Sequence, residues 1–272
     1  MEVISFFRDP DLPFFEAKSC DGALSVCYRK HFHEEWSIGI VDAGRTRMWC
    51  DGEDLLAEEG SMVVIPPYVP HACSPEDARA WRYRMLFVRS EWIDAATGIR
   101  GVSRPPVVQR NEWAVSLLNR LYEGLARGCG SLETETNLVL LTASVARAGS
   151  PGTKEASAED AVTAASATPA IRMVRDYIQA CFADNITLDR LEGISGIGKY
   201  ALIRRFNQAY KLPPHAYQNL CRINHAKREL AKRRPIAEIA LEAGFYDQSH
   251  FTKMFKQCVG VTPQRYPSRG AR

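Results

Sequence analysis

Two groups of mostly polar and basic side chains lie late in the chain, each just after a short turn that contains a glycine, Gly196 or Gly244. The first group is Lys199, Tyr200, Ile203, Arg204 and Arg205, and the second is Gln248, Ser249, His250, Thr252 and Lys253. Amide, hydroxyl and guanidinium groups bind base edges in the major groove of DNA, and the guanidinium of Arg204 has the geometry to bind guanine O6 and N7 together. Both groups are therefore candidate DNA contacts.

Three histidines in the first third of the chain suggest a different chemistry. His31, His33 and His71 could hold Zn, Fe, Cu or Ni, because imidazole is a common ligand for these metals. The alternative is a small-molecule pocket, in which a few polar groups among aromatic rings orient the ligand. The candidate pocket residues are His31, His33, Trp36, Arg47, Trp49, His71 and Tyr83.

The elements that must position the first two groups form a repeat. Apolar residues at helical spacing precede and follow each glycine turn, with an offset of 48 residues before the turn and 49 after it. The matched pairs are Leu188 and Ile236, Leu191 and Ile239, Leu202 and Phe251, Phe206 and Phe255, Leu212 and Val261, Pro214 and Pro263, and Tyr217 and Tyr266. Two amphipathic helices around such a turn form a helix-turn-helix unit. The sequence predicts two units, which could reach two successive major grooves.

The distribution of charge supports this interpretation. Residues 169–272 contain 18 Lys and Arg against 8 Asp and Glu, and residues 1–168 contain 17 against 24, although the whole chain carries only +3. A basic module beside an acidic one is expected when only one of them contacts phosphates. We expect a cytoplasmic protein, because the sequence has no apolar run of ~18 to 20 residues and no signal-peptide pattern. The eight cysteines include no C-x-x-C pair, which argues against a zinc knuckle.

The first half of the chain is predicted to be rich in β-structure. Short runs of β-branched and aromatic residues over 24–30, 36–41, 45–50, 62–65 and 81–88 are separated by turn residues, which is typical of a small barrel or sandwich. Two helical patterns follow. The first has an apolar stripe that must either cap the barrel or form a dimer face, made of Trp113, Leu117, Leu118, Leu121 and Leu125. Residues 148–169, which are rich in Ala, Ser, Thr and Gly, predict a flexible linker.

Residues 235–267, PIAEIALEAGFYDQSHFTKMFKQCVGVTPQRYP, resemble the signature segment of the AraC/XylS family of transcriptional regulators, and residues 186–217 are similar to the upstream half of the same module. This resemblance covers about residues 170–267. It implies seven helices, two helix-turn-helix units joined by a long helix over about 214–232, and binding to promoter DNA. The chain departs from the family at Gly198, where a Ser often caps the first reading helix, and the glycine weakens that cap by about a few tenths of a kcal/mol.

The segments HFHEEWSIGIVDAG and GSMVVIPPYVPHAC resemble the cupin-like sensor domain that precedes this module in many family members. The resemblance depends on His31, His33, Gly44, Gly60, Pro66, Pro67, Pro70 and His71. Metal-dependent cupins usually carry a Glu four residues after the second His, and this chain has Ser37 there. We therefore predict a small-molecule pocket with no metal and no other cofactor.

Together these features predict an α+β protein with two domains. Residues 1–147 form a cupin-like β-barrel followed by helices, residues 148–169 a linker, and residues 170–267 an all-α double helix-turn-helix domain. The predicted function is transcription regulation by DNA binding under control of a small-molecule effector, with no catalytic residues. Expected partners are double-stranded promoter DNA, the effector and a second copy of the chain, with RNA polymerase as a further candidate and no membrane. The alternatives are a metal-dependent cupin enzyme fused to a DNA-binding domain and a redox or metal sensor using Cys50 and Cys73.

Overall fold

The computed structural model describes residues 4–9, 11–22, 28–97, 107–127, 131–148 and 167–266. These residues divide into two compact units. Within the described ranges, unit 1 comprises residues 4–22 and 33–148, and unit 2 comprises residues 28–32 and 167–266. The predicted linker lies for most of its length outside the described residues, so the predicted domain boundaries stay predictions.

Ten strands occur in the described residues. In chain order they are β1 (Ile4–Phe7), β2 (Phe15–Asp21), β3 (Tyr28–His31), β4 (Trp36–Ala43), β5 (Arg45–Cys50), β6 (Glu53–Glu58), β7 (Met62–Ile65), β8 (His71–Pro75), β9 (Arg82–Val88) and β10 (Val107–Gln109). Unit 1 contains a sheet of order β1-β2-β9-β4-β7-β10 and a second one that includes β8-β5-β6, while β3 groups with unit 2. The β-rich first half is confirmed, and its strands form two sheets that do not close into one barrel.

The six-stranded sheet of unit 1 has two faces of different character. Its outer face packs Ile38, Val64 and Leu86 against helices, in one apolar core. The helices of unit 1 are α1 (Ser90–Thr97), α2 (Glu112–Arg127) and α3 (Ser131–Ala148). Because side chains alternate along a strand, Ser37 and Phe87 lie on the opposite side, which we call the inner face.

The apolar stripe of α2 is buried within the chain. Leu117 and Leu118 are fully buried in the core shared with the outer face and α3, whereas Trp113 is 55% exposed. Of the two alternatives for this stripe, the structure shows the intramolecular one. Polar contacts strengthen the attachment, because the Tyr122 hydroxyl of α2 donates to the carbonyl oxygens of Lys18 (2.8 Å) and Met85 (2.9 Å).

Unit 2 is mainly helical. Its helices are α4 (Pro169–Ala180), α5 (Leu188–Ser195), α6 (Lys199–Tyr210), α7 (Pro214–Ala231), α8 (Ile236–Glu242) and α9 (Gln248–Val259). The pairs α5–α6 and α8–α9 are the two predicted helix-turn-helix units, and α7 is the predicted long helix between them. The described part of this unit has six helices where the resemblance implied seven. Residues 263–266 form only a turn, in which the Tyr266 amide donates to the Thr262 carbonyl (3.1 Å). No helix of the described ranges combines the length and the apolar character required to cross a membrane.

Candidate DNA-binding and effector sites

The repeated apolar residues form matching cores in the two helix-turn-helix units. Phe206 in α6 and Phe255 in α9 are fully buried. Each ring packs edge-on against a tyrosine at the equivalent position of its own copy: Phe206 against Tyr217 (5.6 Å) and Phe255 against Tyr266 (5.3 Å). This packing confirms the predicted units and fixes which side of each second helix is exposed. We call α6 and α9 the reading helices.

The first turns of α9 present the predicted polar residues. Gln248, Ser249, His250 and Lys253 are exposed, and Thr252 is half-buried. Asp247 caps the helix, because its Oδ1 accepts a hydrogen bond from the His250 amide at 2.7 Å. Gly244, in the turn before this helix, takes the left-handed conformation, with φ 79°.

The first reading helix exposes a more basic surface. Tyr200 is 92% exposed, Arg204 and Arg205 are exposed, and Ile203 is half-buried. Lys199 differs from the others because its Nζ lies 2.5 Å from Asp189 Oδ1 in an ion pair. As the sequence predicts, Gly198 begins the helix without a side-chain hydrogen bond to the first turn.

One exposed residue near the second reading helix has no place in the sequence prediction. Tyr246 is 95% exposed and immediately precedes the capping Asp247. It is absent from the predicted DNA contacts because it lies in the turn before the helix, and those contacts were chosen on the helix itself. A signal was available, since a large aromatic residue outside the apolar repeat has no core position to fill.

On the inner face of unit 1, His33 links residues of both sheets. Its ring centroid lies 4.7 Å from that of Phe87 and 5.1 Å from that of His71. His71 is buried, and burial lowers its pKa to about 4. The neutral ring has Nδ1 at 2.9 Å from the Val69 carbonyl, so Nδ1 carries the proton and donates it while Nε2 keeps its lone pair.

This pair of histidines has the geometry to share a ligand. The ring nitrogens of His33 and His71 come within 4.8 Å of each other, a separation compatible with a common metal ion or a polar small molecule. Ser37, where metal-dependent cupins carry Glu, is fully buried, and its Oγ has no hydrogen-bond partner among the described atoms. A hydroxyl suits a hydrogen-bonding ligand better than a metal. His31 lies in β3 of unit 2, with Nδ1 at 2.7 Å from the Arg29 carbonyl.

The other predicted pocket residues lie on different surfaces. Tyr83 is buried on the inner face, with the Nζ of Lys18 at 5.6 Å from its ring centroid. Trp36 belongs to the core between the outer face and the helices. Arg47 is exposed and Trp49 half-buried, at positions that alternate with the buried residues of β5. Trp36, Arg47 and Trp49 therefore do not join the inner face, while Lys18 does.

The cysteines predicted as a redox alternative lie in the second sheet. Burial raises the pKa of the Cys50 thiol far above its ordinary value, and the nearby Cys73 raises it further. Oxidant sensing requires a thiolate, so this environment disfavours Cys50 as a redox sensor.

Comparison with known families matches both halves of the chain. Residues 23–141 match the model of the AraC-like ligand binding domain, and residues 193–269 match that of a helix-turn-helix domain. The uncharacterized HTH-type transcriptional regulator YbfI of Bacillus subtilis is 30% identical over 253 residues, which cover 89% of this chain and 87% of YbfI. The HTH-type transcriptional regulator MtrA of Neisseria gonorrhoeae is 33% identical over 89 residues, or 32% of this chain and 29% of MtrA.

Solved structures of ToxT from Vibrio cholerae share this fold. An apo form has a TM-score of 0.63 at 13% identity, and the match covers 93% of this chain and 97% of ToxT. ToxT bound to an unsaturated fatty acid has a TM-score of 0.57 at 11% identity, with 98% and 96% covered. At these identities the likeness shows the fold alone.

Proposed function

Because the chain belongs to the AraC family of transcriptional regulators, we propose that its two reading helices bind promoter DNA through their exposed side chains, and that a small molecule on the inner face of unit 1 controls this binding. One observation carries the DNA-binding part. Arg204 and Lys253 stand 49 residues apart, at equivalent positions of the repeat, and both are exposed cations on reading helices. Since promoter DNA is the proposed partner, we place the protein in the cytoplasm.

A binding-site selection with the full-length protein and a randomised duplex library tests the DNA contacts. We expect Arg204→Ala to relax the base preference at one position and to cost roughly 1 to 3 kcal/mol there. Lys253→Ala should weaken binding to all sequences evenly and reduce its salt dependence, as loss of a phosphate contact does. Arg47→Ala, which removes an exposed cation of unit 1, is the matched control. Unchanged base preferences in Arg204→Ala, or an equal loss in Arg47→Ala, would contradict the assignment.

The effector site is proposed on the inner face, around Ser37, His33 and His71. Its support is the buried Ser37 hydroxyl without a partner and the neutral His71, because such groups orient a polar ligand. ToxT, which shares the fold, has been solved with an unsaturated fatty acid, so the fold accommodates organic ligands. A thermal-shift screen of the full-length protein against small metabolites tests the proposal. A true effector should stabilise the wild type and Arg47→Ala more than Ser37→Ala, and equal shifts in all three would place it elsewhere.

A homodimer is also part of the proposal. Trp113, Leu132 and Leu140 of α2 and α3 are 55%, 79% and 43% exposed, and a second copy would cover such apolar side chains. Sedimentation of Leu132→Glu should show a folded monomer, and a monomeric wild type at micromolar concentration would contradict the dimer. We further propose that the DNA-bound protein acts on RNA polymerase. Transcription in vitro from a promoter that contains the selected duplex tests this partner.

Metal sensing is the second candidate, supported by the approach of the His33 and His71 ring nitrogens. Elemental analysis of the purified protein separates it from the effector proposal. Stoichiometric metal that is lost in a His33→Ala variant would favour it.

A further inference from the structure

A group of charged residues joins α7 to α8, where the second helix-turn-helix unit begins. At its centre, Arg234 donates two hydrogen bonds to the carboxylate of Glu242 (2.5 and 2.6 Å) and one to Glu229 Oε2 (3.0 Å). A longer contact of 3.7 Å reaches Glu238. Glu229 lies on α7, whereas Glu238 and Glu242 lie on α8, so one guanidinium connects the two helices.

The geometry of these contacts restricts orientation as well as distance. A planar guanidinium that binds a carboxylate through two parallel hydrogen bonds fixes the direction of both groups. The Glu229 side chain is only 11% exposed and also accepts a hydrogen bond from Lys232 at 2.7 Å. The hydrogen bonds from Lys232 and Arg234 lower the pKa of Glu229 to about 2, so it stays ionised at neutral pH.

The backbone of the junction is short and restricted. Four residues, 232–235, separate α7 from α8. Arg233 lies in the left-handed region with φ 59°, and Pro235, which precedes α8, has its own φ fixed by its ring. A stiff connection of this length allows few orientations of α8 relative to α7, and the hydrogen bonds of Arg234 stabilise one of them.

Among the described residues the first helix-turn-helix unit has no ionic counterpart to this contact, and Arg190 of α5 donates instead to the neutral Tyr177 hydroxyl of α4 at 3.3 Å. The offset of 48 residues places Ile186 at the position equivalent to Arg234. The ionic contact therefore does not belong to the repeated pattern that forms each unit. It attaches the second helix-turn-helix unit to the connecting helix α7.

We infer that Arg234 is a positioning residue for DNA binding, which sets the direction of α9 relative to α6 and so the spacing between the two groove segments that the protein accepts. This inference rests on the proposed role of the reading helices. Two binding modules on a rigid link gain affinity from each other only when both reach their sites, so a fixed direction selects one spacing.

The run Lys232-Arg233-Arg234 would, from its composition, be interpreted as a phosphate-binding patch. The structure separates its members. Lys232 and Arg234 bind carboxylates of their own chain, whereas Arg233 is exposed. Arg233 therefore provides a matched control, since Arg233→Met removes the same charge from the neighbouring position.

The test uses the full-length protein and the duplex that the wild type selects from a randomised library, together with two variants of that duplex in which one base pair is inserted or deleted between the two groove segments. Arg234→Met should weaken binding to the selected duplex about tenfold or more, because the second helix-turn-helix unit contributes less to the affinity. It should also reduce the difference in affinity between the three duplexes. Arg233→Met should weaken all three by one common factor, and Arg234→Lys, which keeps the charge but not the fork, should fall between.

Glu242→Gln provides a second route, because it breaks the paired hydrogen bonds without changing any basic residue. It should reproduce the loss of spacing preference expected of Arg234→Met. If circular dichroism shows that Arg234→Met does not fold, the result for Glu242→Gln alone tests the inference. If Glu242→Gln and any folded Arg234→Met retain the wild-type ratio of affinities for the three duplexes, the inference is wrong while DNA binding stands. If the wild type selects no sequence at all, the proposed function itself fails.

Discussion

The two helix-turn-helix units share an apolar core but differ in how their reading helices begin. The second reading helix starts at Asp247, whose carboxylate accepts a hydrogen bond from the His250 amide at 2.7 Å. The first starts at Gly198, which makes no such bond. The turn glycines share the left-handed conformation, with φ 65° at Gly196 and 79° at Gly244, but differ in what surrounds them.

The surroundings of the two turn glycines show why the copies are not interchangeable. A Cβ atom added to Gly244 would lie 2.1 Å from the carbonyl oxygen of Ala183, whereas one added to Gly196 would meet nothing within 4 Å. Ala183 lies between α4 and α5, and Gln218 and Arg222 of α7 donate to the carbonyl oxygens around it. The second turn is thus packed against the rest of unit 2, and the first is open. The repeat specifies the fold of each copy, and contacts outside the repeat specify its rigidity.

The strongest test of this difference is alanine at each turn glycine. Gly244→Ala should destabilise unit 2 by roughly 3 to 5 kcal/mol, because left-handed strain adds to a clash with backbone that cannot move away cheaply. Gly196→Ala should cost only about 1 to 2 kcal/mol, from the left-handed strain alone.

Urea unfolding with two probes measures this contrast. The circular dichroism of the helices reports on unit 2 together with α1 to α3, whereas all five tryptophans lie between residues 36 and 113 and report on unit 1 only. The tryptophan transition should not move in either variant. Equal losses in the two variants would mean that the second turn is not held against Ala183.

A smaller effect is expected at the helix cap. Asp247→Ala should cost about 1 kcal/mol, because the first-turn amide of His250 loses its acceptor. Ser249→Ala, a change at an exposed position that caps nothing, should have little effect on the same transition. If the two variants lose stability equally, the capping bond contributes nothing measurable.

The sequence predicts the double helix-turn-helix unit well because each buried position occurs twice. Phe206 and Phe255 sit at the same register, and chance agreement over the whole repeat is improbable. The first half of the chain has no such internal check. Strand β2, FEAKSCD, lies outside the predicted runs, because Phe15 is its only β-branched or aromatic residue and those runs were identified by that composition.

The candidate pocket was predicted in part, for a related reason. Trp36 and Ser37 are adjacent in β4, so their side chains lie on opposite faces of the sheet. A shift of the strand pairing by one residue would change which of the two lies on the inner face, and the sequence does not fix this pairing. Residue type favours Trp36, and the structure places Ser37 there. Arg234 shows the same limit, because its partners Glu229 and Glu242 lie five residues before it and eight after it across a turn, at spacings that no helical pattern indicates.

The smallest expected effect concerns the missing cap at Gly198. Its φ of −56° suits any residue, and an added Cβ would meet only Glu192 Oε1, at an ordinary contact distance of 3.8 Å. Gly198→Ser should therefore stabilise unit 2 by about a few tenths of a kcal/mol, because serine accepts a first-turn hydrogen bond that glycine cannot. Gly198→Ala adds the same Cβ without the hydroxyl and should destabilise it, because alanine is the poorer cap. Opposite signs for the two variants in the unfolding transition of the helices would show that the start of the first reading helix lacks a capping side chain. If serine and alanine shift it equally, the difference between the two copies does not lie at the start of the reading helix.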